Sequence, residues 1–126
     1  NHNLTVVPEL MIVKLRSAAT DNWFVYSSAL GATKALYLNA TSAAATSVGF
    51  WNDTAPTNSV FSTYSAFTNQ SGQTYVAYLF ATVAGVSKVG SYTGTGTKSL
   101  NLNIFLIPPI PKDERKSPPG LSILRT

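Results

Sequence analysis

The sequence predicts an all-β domain, an antiparallel β-sandwich of jelly-roll or lectin-like type that ends in a Pro-rich, irregular C-terminal tail. Three observations predict it. Short apolar and aromatic segments recur about every ten residues, separated by Asn, Asp, Gly and Pro turn signals, which is the spacing of sandwiches and barrels. No stretch sustains the 3.6-residue periodicity of an amphipathic helix. Five of the seven prolines fall between Pro108 and Gly120 among clustered charges, and such a segment cannot join a ladder.

Val6 to Arg16 carries Pro8 before a compact apolar stretch, so a strand is expected to start just after the proline, at a sheet edge or strand entrance. Met11, Val13 and Leu15 would share one face, with Ile12, Lys14 and Arg16 on the other. After a polar turn, Trp23 to Tyr26 and Lys34 to Asn39 read as the two arms of a hairpin, with Gly31 in its loop. Ala40 to Val48 contains three consecutive alanines, but its Ser and Thr residues compete for the backbone. A loop or one short turn is expected there. Phe50 to Thr57 reads as a turn built on Asn52, Asp53 and Pro56. It leads into a short strand, Ser59 to Tyr64, and a second turn, Phe67 to Gln73, follows. Tyr75 to Val83 is a nearly unbroken apolar run, too short to span a bilayer, and reads as the central strand with both faces covered. Gly85, Gly90, Gly94 and Gly96 then mark bends. Leu100 to Ile107 alternates Leu and Asn and is expected to be the last strand. The domain is therefore placed at residues 1–107, with 108–126 as a charged tail or linker.

Charged residues make up only 11 % of the chain, against 44 % apolar, well under the usual quarter. The net charge of +4 is spread along the sequence, with no basic stripe interleaved with aromatics. Nucleic acid is thus not an expected partner, and no apolar segment is long enough for membrane insertion. Cysteine is absent, which removes disulfides and thiolate chemistry. The chain begins at Asn1, already in mid-pattern, as a piece of a longer protein would.

The groups needed for catalysis are sparse. His2 is the single histidine, and residues 1–107 hold three carboxylates, Glu9, Asp21 and Asp53. A glycan depolymerase would need two of these facing each other across a scissile bond, and only Asp21 and Asp53, in separate turns, are candidates. A turn-closing role is the simpler reading of both. There is no G-x-S-x-G elbow, and Gly94-Thr95-Gly96 lacks the strand, helix and acidic residue of a dinucleotide site. A calcium site at Asn52, Asp53 and Thr54 would carry a single formal charge. No cofactor and no metal are expected, and the chain is read as a non-enzyme.

Ligand binding is the more credible chemistry. Trp51, Tyr26 and Tyr92 offer rings for a sugar face, and Asn52 and Asp53 offer hydrogen-bonding groups for hydroxyls. The competing reading makes Trp23 and Trp51 core residues, as most tryptophans in a small sandwich are. For Trp51, set in a polar turn, both readings stand.

The motifs P-E-L-M-I-V-K (Pro8 to Lys14), N-W-F-V-Y (Asn22 to Tyr26), L-G-A-T-K-A-L-Y-L-N-A-T (Leu30 to Thr41), W-N-D-T-A-P-T-N-S-V-F (Trp51 to Phe61), T-Y-V-A-Y-L-F-A (Thr74 to Ala81) and S-K-V-G-S-Y-T-G-T-G (Ser87 to Gly96) resemble a repeated β-rich module of marine bacteriophage virion proteins. Such modules occur in tail-fibre-like or other structural polypeptides and are described as of unknown function. The resemblance covers residues 2 to 96 in order, and the last thirty residues depart from it. It implies a non-enzymatic component at the virion surface that self-associates or binds neighbouring virion modules and contacts a host-surface glycan. It carries over no functional residues.

Overall fold

Pro8, with its side chain wholly buried, stands two residues ahead of β1 (Leu10–Leu15), where its missing N–H costs the sheet nothing. In the computed structural model, which describes residues 1–18 and 21–96, four more strands follow. They are β2 (Trp23–Ser27), β3 (Lys34–Tyr37), β4 (Ala45–Thr46) and β5 (Tyr75–Phe80), with one helical turn, α1 (Val48–Trp51), after β4. The fold is all-β: one five-stranded antiparallel sheet in the order β4-β3-β2-β1-β5. The expected strand Leu100–Ile107 and the tail 108–126 lie outside the described residues.

The alternation read in β1 is the alternation observed. Met11, Val13 and Leu15 are buried, and Leu10, Ile12 and Lys14 face the other way and are half-buried. The β2–β3 hairpin also forms, with Phe24 opposite Tyr37 and Val25 opposite Leu36. Gly31 takes φ +79 in its loop, a region glycine enters without steric cost. At the open end of the hairpin Asn39 works as a clasp. Its Oδ1 accepts from the Trp23 N–H at 3.1 Å and its Nδ2 donates to Asn22 Oδ1 at 3.1 Å.

One face of the sheet carries the core. Met11, Val13, Phe24, Tyr26 and Ala35 meet Phe50 and Trp51 from α1, with Tyr37, Phe61, Phe67, Tyr75 and Leu79 packed around them. The covering layer is thus a helical turn and a long loop. Its aromatic rings interlock at 5.1 Å (Phe50 with Phe67), 5.6 Å (Phe24 with Phe50) and 5.9 Å (Tyr26 edge-on to Trp51), within the range where ring pairs add to simple burial. Thr68 ties the layer together: its buried hydroxyl donates to the Phe50 carbonyl at 2.5 Å and accepts from the Tyr64 N–H at 3.1 Å. Thr68→Val keeps the shape and strands both partners, so a loss of about 1–3 kcal/mol in denaturant unfolding is expected. An unchanged midpoint would show that this hydroxyl contributes nothing.

Three expectations need correction. Ala40 to Val48, expected as a loop or one short turn, contains β4, whose Ala45 and Thr46 pair with Ala35 and Lys34. Ser59–Tyr64 forms no strand. Thr57 captures that segment instead, its Oγ1 accepting from the Ser59 and Val60 N–H groups at 3.3 and 3.1 Å while the His2 N–H donates to the Ser59 carbonyl at 2.9 Å. A hydroxyl-closed turn has replaced the ladder. The last correction concerns β5, which among the described residues stands at the end of the sheet order and not at its centre. Its apolar run arises because both faces of this sheet are apolar. Tyr75 and Leu79 join the core side, while Val76, Tyr78 and Phe80 join Ile12, Val25 and Leu36 on the outward side. An unbroken apolar run reports what covers the two faces of a strand and says nothing about lateral neighbours.

Candidate functional site

Of the residues expected to bind a ligand, Trp51 and Tyr26 are turned into the core, and Asn52 and Asp53 follow in an exposed turn. Ser47 caps α1 by accepting from the Gly49 N–H at 3.0 Å, and Asn52 ends the helix in the left-handed region, so the short helix drives Phe50 and Trp51 inward. Trp51 is 0 % exposed, its Nε1–H donating to the Lys34 carbonyl at 2.9 Å. With no ring face open, Trp51 is a core residue, which corrects the stacking role considered for it. Tyr26 packs against it and is buried too, and this burial raises its phenol above the ordinary 10.0. Only Tyr92, 62 % exposed, keeps an open ring. Asn52 and Asp53, at φ +53 and +46, are exposed and shape the turn after the helix, where Thr54 Oγ1 donates to the Asn52 carbonyl at 2.7 Å.

The carboxylates do not converge. Glu9 accepts from the Thr82 N–H at 2.8 Å and from the Thr82 hydroxyl, which in turn accepts from the Val89 N–H at 3.2 Å. This carboxylate fastens the segment after β5 to the start of β1. Asp21 sits where β1 turns towards β2, its carbonyl accepting from Lys14 Nζ at 2.8 Å. Asp53 follows a helix whose tryptophan bonds to Lys34, at the far end of the strands. His2 is bonded to the Thr57–Ser59 turn, its Nε2 lying 3.2 Å from the Thr57 carbonyl and its N–H donating to the Ser59 carbonyl at 2.9 Å. Among the described residues no group of three His, Asp or Glu side chains is placed to hold a metal, and no helix is long and apolar enough to cross a membrane.

What the sheet does present is an edge. The Arg16 N–H donates to the Thr74 carbonyl at 2.8 Å, and with Leu10 opposite Phe80 and Ile12 opposite Tyr78 this sets the ladder phase. The even-numbered residues of β5 turn their N–H and C=O groups to β1. Tyr75, Ala77 and Leu79 therefore turn theirs outward. Among the described residues no strand pairs with that side. β5 contains no charge, proline or glycine, the devices that blunt a sheet edge. Beside it, the outward face exposes Leu36, Tyr78 and Phe80. Among the described residues, Ser87 to Gly90 reach over its Leu10 and Phe80 end, leaving a groove of about 270 Å³.

Residues 1–102 match the model of a family described as a domain of unknown function, DUF7483. The chain belongs to the DUF7483 family. No curated protein and no solved structure matches it. In this DUF7483 domain the edge is the feature that sequence reading passed over, because lateral position leaves no mark on a strand's own residues. The signal that was available is compositional: six consecutive uncharged residues, Tyr75 to Phe80, in a chain with four lysines or arginines elsewhere in residues 1–96.

Proposed function

We propose that this domain is a non-enzymatic structural module that works by assembly, in the setting that its resemblance to phage virion modules implies: the surface of a particle, among neighbouring modules. The single observation that supports this reading is the edge of β5, uncharged and with no strand paired to it among the described residues, next to an apolar outward face. Soluble domains normally protect such an edge, and leaving it bare creates a template for another chain. The β-sandwich belongs to the same proposal. The exposed Leu36, Tyr78 and Phe80, with half-buried Ile12 and Val76 beside them, make the kind of surface on which a second sheet packs about 10 Å away, supplied here by an adjoining module.

Magnitudes set the strength of the contact. Tyr75, Ala77 and Leu79 offer six ladder bonds, each contributing about 0.5–1.5 kcal/mol net, against an association cost of about 4–15 kcal/mol. Edge pairing alone is therefore weak. It becomes effective when copies are held at millimolar effective concentration, as in a particle. Glycan binding has less support, since Trp51 and Tyr26 are spent on the core.

Light scattering from micromolar to millimolar protein should show reversible, concentration-dependent association. Lysines at Val76 and Tyr78, which both point to the outward side, should abolish it while circular dichroism stays unchanged. A wild-type domain that remains monomeric throughout removes the assembly reading.

A further inference from the structure

We infer that the partner of the β5 edge is the β5 edge of a second copy, antiparallel and centred on Ala77, which joins two sheets into one of ten strands. This rests on the assembly reading and adds the partner and its register. Among the described residues the sheet has two edges. β4, at the other one, is two residues long, so a head-to-tail contact of β5 with β4 of the next copy would engage two residues, whereas β5 with β5, centred on Ala77, engages five, Tyr75 to Leu79. The chain as a whole carries a net charge of +4, which opposes self-association, but β5 brings no charged side chain to the seam.

The ladder phase narrows the register, and of the in-phase pairings the one centred on Ala77 places Tyr75, Ala77 and Leu79 all in bonded pairs. Residues whose backbone groups point outward must exchange both bonds with one another, so Ala77 meets Ala77 of the second copy and Tyr75 meets Leu79. Ala77 is exposed and small, which leaves the twofold axis unobstructed. Val76 then lies opposite Tyr78 as a non-hydrogen-bonded pair, with Cα atoms about 4.5 Å apart and side chains in contact across the seam. A twofold axis perpendicular to the sheet keeps both aromatic cores on one side and makes the two apolar outward faces continuous.

The test uses the full chain, which has no cysteine of its own. Val76→Cys and Tyr78→Cys chains, mixed and mildly oxidised, should form a disulfide-linked dimer at least tenfold faster than either variant alone. The reason is that Val76 of one copy lies about 8 Å from Val76 of the other, beyond disulfide reach. Ala77→Pro removes an outward N–H without touching the β1 ladder and should weaken wild-type association at least tenfold. Dimers by light scattering without the mixed disulfide would overturn the β5 pairing and leave assembly by another surface standing. Equal cross-linking of each variant with itself would overturn the register. A monomer by light scattering at millimolar concentration would overturn this inference and the assembly reading together.

Discussion

Trp51→Ala is expected to lower the stability of the domain by about 3–5 kcal/mol, a large share of the roughly 5–15 kcal/mol that holds a typical domain folded. The indole has no exposed surface, stands edge-on to Tyr26, and spends its one donor on the Lys34 carbonyl. Alanine would remove the largest of the fully buried side chains. It would also leave that carbonyl without its bond at the end of β3, where β4 is attached. Chemical denaturation followed by Phe and Tyr fluorescence or far-UV circular dichroism measures the loss. Trp51→Phe should recover part of the volume and none of the hydrogen bond, falling between wild type and alanine. If Trp51→Ala kept the wild-type midpoint, the ring would not be holding the covering layer to the sheet.

The second large effect is expected from adding a single carbon. A Cβ built on Gly49 lies 2.7 and 2.8 Å from two atoms of the Phe67 ring and 3.1 Å from Ser47 Oγ, so Gly49→Ala forces an aromatic ring out of a packed stack. Phe67 is pinned between Phe50 at 5.1 Å and Phe24 at 5.7 Å. Overpacking of this kind typically costs about 1–3 kcal/mol, more than the ~1 kcal/mol that alanine gains over glycine in helix propensity. The net change should be destabilising, with the near-UV signal of the aromatic cluster altered. Pairing it with Phe67→Leu should return part of the loss, since a smaller side chain leaves room for the methyl group. Stabilisation by Gly49→Ala alone would mean that the ring moves aside freely and that the stack is loose.

Much of this fold can be read in the residues because the physics behind it is local. The period-two pattern of β1, the aromatic run of β2 and the Gly31 loop each report a strand or turn through their immediate surroundings, and all three were read correctly. What failed was non-local. Val60 and Phe61 have strand-forming side chains, yet Thr57 bonds the backbone first. β5 has the composition of a buried strand and, among the described residues, lies at the margin of the sheet. The candidate ligand residues failed for a related reason. Trp51 sits in a polar stretch, and only the Ser47 cap with the left-handed Asn52 determines that the helical turn points its ring inward. Ser47-Val48-Gly49-Phe50-Trp51-Asn52 did carry a helix-cap signature at both ends, in a window too short for periodicity to reveal.

The pairing of β1 with β5 also orders the events of folding. Lys14 finds Trp23 across a short turn, whereas Leu15 must wait for Tyr75, with the whole covering layer in between. Closing that long loop is entropically the slower step, so the three-stranded β1–β2–β3 meander matures first and β5 arrives last. Until it does, the vacant flank of β1 accepts β5 from any nearby nascent copy as readily as its own, and crowded synthesis favours strand exchange.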